Sequence, residues 1–205
     1  MKPQAAATRS RERVETPRVP TDEGTLLARS REGDARAYRA LVELHQDRVY
    51  GMALRILRSP ADAEEVAQDA FVRAWLALRD FRGESTFGTW IHRIAARRAL
   101  DRAATLRARR ARESMWEHAA EIVPAEAPSP PRPESARLEL LLEALSPAQR
   151  AVIACFYFED LPIPEVARML AMPEGTVKTH LSRGRAALRA EWTRRRRLET
   201  THELS

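Results

Sequence analysis

Five prolines, Pro124, Pro128, Pro130, Pro131 and Pro133, fall within one short stretch of this chain. Proline lacks a backbone N–H and fixes φ, so no helix or sheet ladder runs through such a stretch. Extended, semi-rigid chain is what remains. Residues 114–134 therefore read as a linker, and whatever folds must fold on either side of it. That leaves blocks at 22–113 and 135–192, with a polar extension at 1–21 and a basic tail at 193–205. Each block is small enough to hold only a modest core. Alanine, leucine, arginine and glutamate are abundant and only 7 residues are glycine, a balance that favours helix over sheet. The expected fold class is all-α: two small helical domains joined by a flexible Pro-rich linker.

Lysine and arginine number 35 against 29 aspartate and glutamate, a net charge of +6. Such an excess points to an anionic partner, nucleic acid or an acidic membrane surface, although a GC-rich coding sequence also enriches arginine. The single cysteine, Cys155, excludes an intrachain disulfide and fits a reducing cytosol. No apolar run approaches the roughly 20 residues of a membrane span. Residues 1–21 lack the apolar core of a signal peptide. A cytoplasmic location without membrane insertion is expected.

In the first block Tyr38, Leu41, Val42, His45, Val49, Met52, Ala53, Ile56 and Leu57 recur three and four apart, one apolar face of a long helix. His45 reads as a core or boundary residue, since no Cys or Asp/His cluster accompanies it. Ser59 suits an N-cap, Pro60 the first helical position, and Asp62, Glu64 and Glu65 the positive end of the helix dipole. That second helix continues through Val66, Ala70, Phe71, Ala74, Trp75 and Leu78. The segment Phe81–Gly88 breaks it. A third helix carries Trp90, Ile91, Ile94 and Ala95 into an Arg-rich stretch.

In the second block Ser146-Pro147-Ala148-Gln149 reads as a capping box with Pro at the first helical position. Val152, Ile153, Phe156 and Tyr157 follow. A short helix holds Val166, Ala167, Met169 and Leu170. After the turn Ala171-Met172-Pro173, a last helix begins near Gly175 and packs through Val177, Leu181 and Leu188. Short helix, tight turn and basic helix make the helix-turn-helix pattern.

On that last helix Thr176, Lys178, Thr179, His180, Ser182, Arg183 and Arg185 lie between the apolar positions. Arginine can hold guanine bidentately, lysine and threonine can bind phosphates or base edges, and Ser182 lets a helix approach the groove floor. The helix N-terminus beside Thr176 offers backbone amides to a phosphate. A solvated basic face is the plainer alternative; the capped helix and turn ahead of it favour major-groove reading. No metal-ligand cluster, nucleophile motif or Gly-rich phosphate loop is present, so neither an enzyme nor a cofactor or metal is expected. Cys155, beside Phe156, reads as a small buried hydrophobe.

The string from Gly175 through Thr176, Val177, Lys178, Thr179, His180, Leu181, Ser182 and Arg183 to Leu188 resembles the end of the fourth conserved region of sigma factors. Its first seven residues equally resemble the output domain of LuxR-class response regulators, which leaves a duplex-binding helix-turn-helix regulator as the alternative. The first block separates the two. Asp62-Ala63-Glu64-Glu65-Val66-Ala67-Gln68-Asp69-Ala70-Phe71 and onward to Trp75 is similar to the polymerase-binding helix of sigma region two. Phe81-Arg82-Gly83-Glu84-Ser85-Thr86-Phe87 and onward to Ala95 resembles the adjoining promoter-melting segment. With only these two regions, the chain resembles the extracytoplasmic-function group of RNA polymerase sigma factors.

The resemblance implies a chain that binds core RNA polymerase and promoter DNA and helps open the strands. It implies polymerase docking by Asp62, Glu65, Gln68 and Asp69, where charge complementarity sets orientation and on-rate. It implies capture of the minus-ten element by Arg82, Ser85 and Thr86, with Phe81, Phe87, Trp90 and Ile91 as core. Arg93, Arg97, Arg98 and Arg102 would line the opened strand, in contacts that weaken steeply with salt. The residues Thr176–Arg185 named above would read the minus-thirty-five element. Members of the group are usually held by an anti-sigma partner, so one is expected here. Two positions depart from the family. Arg97 stands where Asn is common, and Ala171 stands where the turn usually has Gly. If that turn is left-handed, Ala costs about 1 kcal/mol.

Overall fold

The computed structural model describes residues 22–116 and 141–202, all helix and connecting turns with no strand among them. The expected extension at 1–21 and most of the expected linker lie outside the described residues. Helix α1 spans Glu23–Arg31, α2 Ala35–Leu57, α3 Pro60–Ala77 and α4 Phe87–Trp116. Helix α5 spans Pro147–Ile153, α6 Ile163–Leu170 and α7 Glu174–His202. Helix α7 runs on through residues 193–202 of the expected basic tail; 203–205 lie outside the described residues.

Local chemistry fixes the starts. The Asp22 carboxylate accepts from the Thr25 amide at 3.0 Å, and Asp34 accepts from the amides of Arg36 and Ala37. Ser59 caps α3 by accepting from the Asp62 amide, with Pro60 leading the helix. Ser146 and Gln149 form the full capping box on α5, each side chain bonded to the other's amide. Such caps satisfy amides that have no partner inside the helix, each contributing about 1 kcal/mol. Helix α6 ends on Ala171 at φ 52°, ψ 46°, so the turn is left-handed. The departure from glycine is real, and the fold tolerates it.

Helix α5 does not stop cleanly. The amide of Glu159 donates back five residues to the Ala154 carbonyl at 3.3 Å, one widened turn over Ala154–Phe158. Such single wide turns insert a residue into a helix and often mark a functional place. This one pushes Tyr157 and Phe158 outward, where Phe158 lies under the Arg55 guanidinium at 4.2 Å.

Helices α2, α3 and α4 pack around Leu41, Val49, Ala70, Phe71, Phe87, Ile91 and Ala95, all buried. Full burial of each large apolar side chain contributes about 1.5–3 kcal/mol. The second core, built on Val152, Ile153, Val166, Leu170, Val177 and Leu181, is not confined to the second block. It runs on into Met52, Ala53 and Ile56 of α2 and Ala96 and Ala99 of α4. The two blocks therefore share a buried interface.

Candidate nucleic-acid interface

Helix α7 presents one packed stripe and one free face. Val177 and Leu181 are buried, and Gly184 sits so close to α5 that an added Cβ would lie 2.7 Å from Ile153 Cδ1. That stripe turns Lys178, Thr179, Ser182, Arg183 and Arg185 to solvent, with Thr176 and His180 half-buried at the edge. The Thr179 hydroxyl donates to the Gly175 carbonyl at 2.8 Å. Arg185 leans over the rings of Phe156 and Tyr157, 5.8 and 5.9 Å from their centroids. The amides of Thr176 and Val177 already donate to the Pro173 carbonyl, so those two amides are not left for a phosphate.

A cleft of about 450 Å³ opens between the Phe81–Ser85 segment and α4. That volume lies within the range of about 300–1,000 Å³ of small-ligand sites. Phe81 and Trp90 floor it, ring centroids 4.8 Å apart and tilted by 37°. Arg82, Ser85 and Arg93 line it, and Arg93 Nε is buried without a hydrogen-bond partner. Gly83 turns the segment at φ 73°, a conformation that favours glycine. Thr86 shapes the backbone, since its hydroxyl accepts from the Thr89 amide at 3.1 Å at the start of α4. Of the four residues expected to be core, Phe81, Phe87 and Ile91 are buried and Trp90 is partly open to the cleft.

The arginines of α4 point in different directions. Arg102 reaches α3 and pairs with Asp62 at 2.6 Å and Glu65 at 2.8 Å. Arg98 pairs with Asp69 at 2.7 Å, beside Arg73 at 2.8 Å. Burial pushes the carboxyls of Asp62 and Asp69 up. The hydrogen bonds of Ser59 and Arg102 at Asp62, and of Arg73 and Arg98 at Asp69, outweigh it and hold both below the usual carboxylate range. Gln68 faces the other way, donating to Glu64 at 3.3 Å and lining a groove with Tyr50 and Phe71. Arg97 leaves the first block altogether: Nε donates to the Met169 carbonyl and Nη2 to the Arg168 carbonyl, both at 3.0 Å.

Sequence reasoning missed Arg168, which lines the cleft from the second block. It also missed that the Glu159 carboxylate, largely buried, meets exposed Arg48 at 2.9 Å and buried His92 at 3.1 Å. No local pattern could reveal either, because the partners are far apart in sequence. Among the described residues no cluster of His, Cys, Asp and Glu is placed to hold a metal, and no helix is long and apolar enough to cross a membrane. Cys155 is buried, 3.4 Å from Met169 Sδ, and burial pushes its thiol up to about 12.

Comparison with known proteins agrees with this arrangement. The family model of Sigma-70 region 2 matches residues 41–112, and that of Sigma-70 region 4 matches residues 135–188. The chain is 30% identical to the ECF RNA polymerase sigma factor SigW of Bacillus subtilis (strain 168) over 177 residues, 78% of this chain and 91% of that protein. It is 33% identical to the RNA polymerase sigma factor NccH of Alcaligenes xylosoxydans xylosoxydans over 181 residues, 83% and 95% of the two chains. The structure of CnrH in complex with the cytosolic domain of CnrY superposes with a TM-score of 0.57 at 28% identity, covering 83% of this chain and 96% of that one. RpoE of Bartonella quintana, solved with the anti-sigma factor NepR, shares the fold with a TM-score of 0.60 at 20% identity, covering 78% and 98%.

The chain belongs to the ECF RNA polymerase sigma factors. It binds core RNA polymerase, recognises promoter DNA and promotes strand opening for initiation. The regulator of the LuxR type is not favoured, because region 2 accounts for the first block.

Proposed function

We propose that α7 reads the upstream duplex element and that the cleft beside Trp90 takes an unstacked base of the minus-ten strand. The cleft carries the second assignment. It joins two aromatic rings, suited to stacking a base, to an arginine whose Nε is buried and unpartnered. Stacking and edge contacts are how single strands are held, and an unstacked base costs a few kcal/mol to expose. Arg82 and Ser85 supply the edge contacts, while Thr86 acts by shaping the start of α4. On α7, Lys178, Thr179, Ser182 and Arg183 face the groove; Thr176, His180 and Arg185 flank them.

The polymerase surface in this reading is the α3 side of Asp62, Glu65 and Asp69, with Gln68 on the neighbouring flank and Arg98 and Arg102 setting the carboxylates. Holding those carboxylates takes the two arginines partly out of the row that lines the strand backbone. Residues 22–113 then serve polymerase and the minus-ten element, 135–192 the upstream element, and 114–134 spans the two. The protein works in the cytoplasm as a binding factor and catalyses no reaction of its own. Its structural neighbours are sigma factors in complex with anti-sigma factors, which supports a partner of that type for this chain too.

Run-off transcription with purified core enzyme on a promoter library tests the reading. Specific starts are expected with the wild-type chain, and loss of them with Arg82→Ala together with Ser85→Ala. Unchanged starts in that variant would remove the cleft from the mechanism.

A further inference from the structure

We propose that Tyr157, on the widened turn after α5, and Arg185 of α7 together grip one backbone phosphate of the upstream duplex. The proposal rests on the assignment of α7 to that element and adds a contact that supplies affinity without reading a base.

Arg185 is held in place but not neutralised. Its guanidinium lies 5.8 Å from the ring centroid of Phe156 and 5.9 Å from that of Tyr157. Those two rings pack edge to face, centroids 5.0 Å apart at 80°, and give it a fixed platform. No carboxylate pairs with it among the described residues. Further along the same helix Arg194 and Arg195 both close on Glu191, at 2.7 and 2.6 Å. An aromatic ring steers a guanidinium yet leaves its charge whole, ready for an anion.

Tyr157 supplies the second donor. It is 55% exposed, turned outward by the widened turn. Its ring is engaged with Phe156, while its hydroxyl makes no hydrogen bond among the described residues. The two jaws come from different helical segments, and Gly184 brings them together. A Cβ there would lie 2.7 Å from Ile153 Cδ1 and 3.7 Å from Gln149 Cβ, so glycine lets α7 lie this close to α5.

The place fits a phosphate better than a base. A recognition helix meets base edges with its N-terminal residues. At about 1.5 Å per residue, Arg185 stands about 10 Å beyond Lys178 along the helix axis, whereas the major groove is about 8.5 Å deep. A helix entering the groove by that end has Arg185 at the rim, where the sugar-phosphate wall rises. Guanidinium and tyrosine hydroxyl are both phosphate donors, and such contacts fix register and orientation.

The test uses holoenzyme assembled from core enzyme and the full chain, with a fluorescein-labelled promoter duplex recovered from the run-off library. Tyr157→Phe removes one hydroxyl and keeps the ring beside Arg185. It should weaken promoter binding about fivefold, equally for every base substitution in the upstream element. The salt slope should not change, because a neutral hydroxyl displaces no counterion. Arg185→Ala should weaken binding further and lower the slope by about one. The double variant should lose little more than Arg185→Ala alone, as two groups on one phosphate require. Uncharged methylphosphonates placed singly along the upstream duplex should reveal one position at which neither variant differs from wild type. Full-strength binding by Tyr157→Phe would overturn the proposal, and so would additive losses that map to two phosphates. A loss of affinity for core enzyme instead of promoter would also overturn it and make Tyr157 a polymerase contact. A changed base preference in Arg185→Ala would overturn the shared phosphate and keep α7 as the reader. If Arg183→Ala also left promoter binding and base preference untouched, the assignment of α7 itself would fall with it.

Discussion

Arg98 of α4 donates to the Asp69 carboxylate of α3 at 2.7 Å, tying the basic helix to the acidic face beside it. The pair does two things at once. It removes one arginine from the solvent-facing row, and it fixes a carboxylate that would otherwise rotate. Because both side chains are about one-third exposed, the pair contributes little to stability, within about 1 kcal/mol. Asp69→Ala should therefore shift the melting temperature by only a few degrees. Its affinity for core polymerase should fall about tenfold, the equivalent of 1.4 kcal/mol. Biolayer interferometry against core enzyme, alongside a thermal melt, separates the two effects. Equal losses of fold and affinity would mean that Asp69 is structural only.

Ala171 is a cleaner stability site. Its φ of 52° places a Cβ in the left-handed region, which costs about 1–2 kcal/mol relative to glycine. Ala171→Gly should raise stability by about 1 kcal/mol, or about 2–4 °C in a chain of this size. Calorimetry of the full chain reads it directly. A lower melting temperature would mean that the methyl group packs usefully in the turn.

Helix α7 predicts a contrast with α4. Arg183→Ala removes a groove-facing guanidinium and should relax base preference at one upstream position, costing about 1–3 kcal/mol at the preferred base. Arg107→Ala, on the exposed flank of α4, should weaken binding to all sequences alike and lower the salt slope by about one. Initiation on a randomised promoter library at two salt concentrations measures both. Uniform loss from Arg183→Ala would make α7 a phosphate binder.

Much of this was legible in the chain, for reasons that are local. Ser59 with Pro60, and Ser146 with Gln149, are caps whose partners lie within three residues, so sequence reasoning found them. The Val177 and Leu181 stripe follows from helical period alone, and it fixes which side of α7 is free. What period could not reveal is the facing of one helix by another. Arg97, Arg98 and Arg102 look like one basic run, yet the turn of α4 sends Arg97 to α6 and the other two to α3. Arg168 and Glu159 belong to the second block and act on the first, across the linker. Separation in sequence hides such contacts until the packing is known.

His45 gives a pH dependence whose sign can be worked out. It is buried against Phe87, with Nε2 3.4 Å from the Glu23 carboxylate. Burial lowers its imidazole below the ordinary value, and the Glu23 charge only partly offsets that. The unfolded chain therefore takes up the proton near pH 6.5 while the folded chain resists it. Its contribution to stability is present above the ordinary imidazole value and is lost as pH falls through the lowered one. The melting temperature should drop between pH 7.5 and 5.5, and His45→Gln should make that drop smaller. An equal drop in the variant would move the effect to another group.

Arg150 shows how much a single guanidinium can hold. Its Nε donates to the Ile56 carbonyl at 2.8 Å, and Nη1 to the Leu145 carbonyl at 2.9 Å. One arginine on α5 thus closes the open end of α2 and the turn before its own helix. Burial, with the nearby Arg58 charge, pushes its guanidinium down to about 10, still charged at neutral pH. Arg150→Met keeps the stem and removes both donors. Each buried carbonyl left alone costs about 1–3 kcal/mol, so a loss of about 2–6 kcal/mol is expected. That corresponds to roughly 4–24 °C. Arg150→Lys, with one compact charge in place of a planar fork, should recover only part of the loss. Denaturant melts of the three proteins measure it, and full recovery by lysine would mean that charge near the helix end matters more than the paired geometry.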